Sequence, residues 1–299
     1  MSSSKLVLLG VGNAARHVDR LARESYFSNT RCDHCYELVY GSTRSVERLL
    51  ELEENEISPL LLQFDPSGKL VRTDEIAEII ENADVLVSFP PDANADATLS
   101  ALCQHAHRIV YLSSTGVYGK LSGVIDESSP VDASSPTAVA RLNAEESWRQ
   151  RGAIVLRAAG MYDKTSGMHH RLRSGSYNIP GDGTNYVSRI HLEDLASIVL
   201  AAFRRGLPAS IYVVADSKPA THLEVASWLC DKMMMPIPSM VPLESVHESL
   251  RGNRQILAQR VLQDLGVDLK YPTFEEGYSG ALEAFLQEHS EHTQASATA

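Results

Sequence analysis

The sequence predicts an α/β fold in which a parallel sheet is covered on both faces by helices. Two observations carry that prediction. Short β-branched or Leu-rich runs alternate with helical patterns without a break as far as residue 158, the order that right-handed crossovers wind into a doubly wound sheet. The first run also leads straight into a glycine turn, Gly10-Val11-Gly12-Asn13-Ala14-Ala15, and then a helix, which is the junction of a Rossmann dinucleotide-binding unit.

Taken in order, strands are expected near 5–9 (the apolar run Leu6-Val7-Leu8-Leu9), 37–41, 58–64, 84–88 (around Val85-Leu86-Val87), 108–113, 153–158 and 210–214. Helices are expected near 13–24, 44–54, 73–82, 94–106, 136–150, 191–205, 221–232 and 255–265. Residues 1–158 form the dinucleotide-binding core. Glycines 160, 167, 175, 181 and 183 with Pro180 interrupt the pattern and predict irregular structure, so 159–287 reads as a small C-terminal substrate lobe interleaved with the last sheet strand. From about residue 288 no apolar periodicity remains, and 288–299 is expected to be a disordered tail.

With 299 residues and 43% hydrophobics, the chain can bury a large core, and its formal charge of −11 argues against a nucleic-acid surface. Four cysteines are too few and scattered for a disulfide framework, and Cys32-Asp33-His34-Cys35 lacks a second ligand pair for zinc. No run approaches a membrane span of ~20 apolar residues. A cytoplasmic location is expected, with a small-molecule substrate or ligand as partner, no nucleic acid, no membrane and no resident metal; a homodimer is compatible with the composition.

The glycine turn requires no side chain at Gly12, so that a pyrophosphate can approach the backbone, and a small residue at Ala15, where helix meets strand. Gly10, Gly12, Asn13 and Ala15 are therefore cofactor-binding candidates. The end of the second strand reads Tyr40-Gly41-Ser42-Thr43-Arg44, with no carboxylate for a ribose 2′-hydroxyl and an arginine suited to a 2′-phosphate, which favours NADP while leaving NAD open. Arg16 offers a second positive charge.

The segment Tyr111-Leu112-Ser113-Ser114-Thr115-Gly116-Val117-Tyr118-Gly119 resembles the serine-bearing strand of extended short-chain dehydrogenases/reductases, the group of NAD-dependent epimerases and dehydratases. Ile190-His191-Leu192-Glu193-Asp194 and the stretch from Arg157 to Tyr162 resemble two further segments of that group, and the set is similar to the YeeZ-type proteins within it. The resemblance implies that Asp65 meets the adenine, that Ser88 lies beside a ribose, and that Ser114 bonds the substrate oxygen. It also implies a Tyr-x-x-x-Lys pair, and that pair is absent. Thr137 and Arg141 hold the two positions, and none of the seven lysines has a tyrosine four residues earlier. A hydroxyl of high pKa and a guanidinium that keeps its proton cannot replace it. Tyr118, Tyr162 and His191, whose imidazole titrates near neutrality, are the candidate replacement acids. The expectation is an NAD(P)-dependent oxidoreductase or epimerase-like protein acting on a small metabolite, with a nucleotide-sugar-like compound as one substrate class. The alternative is a non-catalytic NADP(H)-binding redox or metabolite sensor.

Overall fold

The computed structural model describes residues 4–27 and 36–283. Cys32-Asp33-His34-Cys35 and the 288–299 tail lie outside the described residues. The main sheet has seven parallel strands in the order Ile211–Val214, Ile154–Ala158, β5 (Arg108–Ser114), β4 (Asp84–Val87), β1 (Lys5–Leu9), β2 (Leu38–Thr43) and β3 (Ser58–Leu61). The chain order reverses at β1 and β4, which opens a crevice at the C-terminal ends of the central strands, where doubly wound sheets bind ligands. β4 is buried at every position, as expected of a central strand covered on both faces.

The helices are α1 (Asn13–Phe27), α2 (Arg48–Glu54), α3 (Thr73–Ile80), α4 (Ala93–Leu102), α5 (Pro136–Arg149), α6 (Met168–Arg173), α7 (Leu192–Arg205), α8 (His222–Met233) and α9 (Gln259–Leu265), with residues 274–283 also helical. Ala15 and Val18 of α1, with Leu195, Ile198 and Val199 of α7, pack one face of the sheet; Ile76, Leu99 and Trp148 pack the other. α5 starts where Ser135 accepts a hydrogen bond from the Ala138 amide and Pro136 fills the first turn. Among the described residues no helix is long and apolar enough to cross a membrane.

The lobe is more ordered than its glycines suggest. Gly160–Tyr162 pairs in parallel with Arg189–His191, and Tyr186–Val187 pairs antiparallel with Ala220–Thr221. The single helix expected near 255–265 is a strand, Asn253–Ile256, followed by α9. That strand pairs with Ser122–Ile125 across 131 residues, as in Asn253 opposite Ser122, and a contact so remote leaves no local signal. A third apolar cluster, including Tyr162, Tyr177, Leu229 and Tyr278, holds the lobe together.

Candidate functional site

Three contiguous depressions form a trench over the sheet crevice. The first, about 450 Å³, runs from Gly10 and Gly12 to Arg44, Ser88 and Asp92. A second continues past Gly12, Asn13, Ser88, Leu112 and Met161, and a third begins at Met161 and enters the lobe between Thr115, Tyr186 and Arg189. Gly12 and Ser88 are shared by the first two, and Met161 by the last two.

The glycine turn is shaped as its sequence predicts. Gly10 has φ of +91°, and a Cβ there would come within 2.9 Å of the Phe89 amide nitrogen, so only glycine fits. A Cβ on Gly12 meets nothing within 4 Å: it would project into open trench. The fold therefore does not need a glycine at residue 12, whereas a phosphate approaching the backbone does. The Gly10 amide donates to Ser42 Oγ at 2.8 Å, and Ser88 Oγ donates to the Gly10 carbonyl at 2.6 Å. These bonds clamp the turn between β2 and β4. Asn13 opens α1 beside the trench, and Ala15 is fully buried against the sheet.

Arg44 lines the far end of the trench, donating to Asp92 at 2.9 Å and lying 5.1 Å from the centre of the Phe64 ring. Arg48 lines it too, donating to the Val11 carbonyl, a contribution that sequence reading missed because α2 begins later than expected. One reading needs correction here. Asp65 does not line the trench; its carboxylate accepts from the amides of Ser67 and Lys69 and from the Ser67 hydroxyl, closing its own turn. Arg16 pairs with Glu51 of α2 and does not line this part of the trench. Gly41 is small because a Cβ would meet Ile57 and Val11 at 2.6 and 2.8 Å, a demand of packing.

At the reaction end, Ser114 closes β5, half-buried, with its Oγ accepting from the Gly116 amide at 3.1 Å; its neighbour Thr115 lines the lobe cavity and Leu112 the middle of the trench, while Ser114 itself lines neither. Arg141 reaches Tyr111 Oη and the Leu112 carbonyl at 3.3 and 3.4 Å, so a positive charge still stands at the position of the missing lysine. Thr137 bonds only Ser135 among the described contacts, near the start of α5.

The three replacement acids are not placed for proton transfer. Tyr118 is fully buried; its hydroxyl donates to the Asp126 carbonyl and accepts from Arg157, and burial raises its pKa. Arg157 grips Glu145, which also accepts from Ser113, so Tyr118 belongs to a buried polar network under β5. Tyr162 lines the lobe cavity with its ring, but its hydroxyl is buried without a partner against Gly277, and burial drives its pKa far above that of a free phenol. His191 caps α7, Nδ1 accepting from the Glu193 amide at 3.2 Å, while its ring packs on Tyr271 and Tyr162. Burial pushes its pKa down to about 4, and it faces a different cleft, behind α1. A neutral capping imidazole is not a base at the nicotinamide position.

The lobe cavity's polar wall is formed by Thr115, Tyr186, Arg171, Arg189 and Arg254; of these, sequence reading did not single out Tyr186 and Arg254 and did not bring the rest together. Tyr186 is the tyrosine of that wall that is not buried. No cluster of three or more His, Cys, Asp or Glu suited to a metal ion occurs among the described residues.

Comparison with known proteins agrees with the resemblance. Residues 92–215 match the NAD dependent epimerase/dehydratase family. The chain is 25% identical to Protein YeeZ of Escherichia coli (strain K12) over 253 residues, which cover 78% of this chain and 88% of that protein. A functionally unknown conserved protein from Silicibacter pomeroyi DSS superposes with a TM-score of 0.74 at 25% identity, covering 94% of this chain and 98% of the other. DesIV, a dTDP-glucose 4,6-dehydratase of Streptomyces venezuelae solved with NAD and TYD bound, gives 0.74 at 15% identity, covering 96% and 98%, a likeness of fold.

Proposed function

We propose that this chain, whose residues 92–215 match the NAD dependent epimerase/dehydratase family, binds a nicotinamide dinucleotide along the trench and acts as an NAD(P)-dependent oxidoreductase or epimerase on a small metabolite in the lobe cavity. The observation that carries this reading is the open space in front of Gly12, continuous with the cavity through Met161. When bound, the nicotinamide supplies or accepts a hydride. The chain's own residues do the rest. Gly10 and Gly12 admit the pyrophosphate to the start of α1, whose N-terminal amides favour negative charge. Ser114, next to the cavity-lining Thr115, donates toward a substrate oxygen, and Arg141 holds positive charge against the same strand at Leu112. Tyr186 replaces the lost tyrosine as the phenol accessible to substrate. Arg44 favours the 2′-phosphate of NADP, in competition with Asp92 for its guanidinium.

The burial of Tyr118, Tyr162 and His191 favours a second reading, a protein that senses the redox state of its dinucleotide without turnover. Calorimetric titration with NADPH and NADH, then a metabolite screen with both redox states, separates the two. Gly12→Val should fold like the parent and lose tenfold or more in dinucleotide affinity; equal affinities would overturn the trench site. Any turnover found should fall at least a hundredfold in Tyr186→Phe, the loss of a general acid being worth about 10²- to 10⁴-fold. Metabolite binding that depends on redox state without turnover would select the sensor.

A further inference from the structure

The lobe cavity is lined by Arg171, Arg189 and Arg254, and by no carboxylate among the described residues. That is notable in a chain whose formal charge is −11. Arg189 is 4% exposed; its Nη1 donates to the Val187 carbonyl at 3.1 Å, while its Nη2 has no hydrogen-bond partner. A buried guanidinium left with an unmet donor is costly unless something it faces supplies an acceptor. Arg254 is held by the Gly119 carbonyl and folds over Gly252, where a Cβ would stand 2.7 Å from its Nη2. Arg171 lies 5.2 Å from the Tyr177 ring centre, with no acid paired to it among the described residues.

The Arg189 charge acts on Asp216, which is buried with both carboxylate oxygens unpartnered, but Asp216 does not line the cavity and no ion pair joins the two. The cleft behind α1 shows the contrast. There Arg16, Arg20 and Arg23 pair with Glu51, Glu193 and Asp19, so their charges are spent within the protein, and His17 bonds Asp163. The lobe cavity measures about 260 Å³, a little below the usual range of ligand sites, about 300–1,000 Å³.

We propose that this cavity recognises the oxyanion end, a carboxylate or a phosphate, of a compact metabolite that carries no nucleotide, with the Arg189 fork as its anchor. The inference rests on the trench reading only in placing that end next to the dinucleotide path. A planar fork matches either oxyanion in two parallel bonds, and a cavity of this size holds a few carbon atoms beyond it.

The test is calorimetry on the full chain, with and without saturating NADPH, using inorganic phosphate, succinate, the neutral diamide of succinate, and UDP-glucose. Phosphate or succinate should bind at least tenfold more tightly than the diamide, and whichever anion wins identifies the group recognised. Arg189→Lys and the half-buried Arg171→Gln should each weaken that anion about tenfold while leaving NADPH affinity within twofold, in keeping with the loss of a charge-assisted bond. Equal binding of diamide and anion, no binding of either anion, unchanged affinity in both variants, or tighter binding of UDP-glucose would overturn the proposal. Anion binding in a chain that does not bind NADPH would sink the trench reading and leave this one standing.

Discussion

At the dinucleotide end of the trench, the groups facing the ligand path are glycines, a strand-end hydroxyl and the first residues of a helix; at the reaction end, the tyrosines and histidine that the sequence marks are turned into packing. The first kind of site is made of backbone, and backbone geometry is written locally, in a strand, a tight turn and a helix start. The second depends on where long side chains point, which neighbours on distant elements decide. The difference makes a prediction about substitutions: marked residues at the reaction end should move stability, whereas Gly12 should move only binding.

The largest effect is expected at Glu145, which bonds Ser113 and Arg157 in the interior under β5. Glu145→Ala leaves the Arg157 guanidinium buried without its acid, which costs about 3–5 kcal/mol in comparable cases. Glu145→Leu combined with Arg157→Met should recover most of that loss, because both charges then leave together. Chemical denaturation reads the stability, and dinucleotide affinity of the folded single variant should stay near the parent's. A single variant as stable as the parent, or one that keeps its stability but cannot bind dinucleotide, would break the comparison.

Asp216 comes next, and its signature is pH. Burial raises its pKa to about 7 from an ordinary 3.8. The folded state therefore holds a proton that the unfolded state has released, so this group's contribution falls as pH climbs from about 4 to about 7. The two values differ by 7 − 3.8 = 3.2 units, worth up to about 4 kcal/mol. Asp216→Asn should lack that loss. The informative quantity is the difference in stability between parent and variant across the interval, since His169, His191 and His222, all pushed down to about 4 by burial, impose the opposite slope on both proteins as pH falls below 6.5. A difference that does not change with pH would mean Asp216 is ionised in the folded state.

These cases show why some features were legible in the sequence and others were not. The alternation of runs gave the sheet, and Gly10-x-Gly12 gave the turn, because each is specified by neighbours in the chain. Asp65 could be read either as a turn former or as a ligand contact, and only the structure shows its carboxylate taken up by the Ser67 and Lys69 amides. The strand at Asn253–Ile256 was read as helix because its partner is Ser122–Ile125. Strands of two or three residues in the lobe are too short for alternation to register. Arg171, Arg189 and Arg254 stand on three separate segments, and nothing in their local sequences announces that one cavity unites them.

The smallest effect is expected at His191, the residue whose chemistry looked most catalytic. Its Nδ1 accepts from the Glu193 amide at the start of α7, and its ring packs between Tyr162 and Tyr271. His191→Ala loses cap and ring together, whereas His191→Asn returns an acceptor at a position where asparagine is among the best caps. The stability difference between those two variants should therefore be about 1 kcal/mol in favour of Asn, the usual worth of a cap. With its pKa pushed down to about 4, the imidazole is neutral at pH 7, so turnover of any substrate found should show no titration lost with the ring. Thermal denaturation of the three proteins measures the cap, and a pH–rate profile of His191→Asn measures the rest. A rate that drops a hundredfold while stability holds would return His191 to the reaction and show that the lobe rearranges when substrate binds.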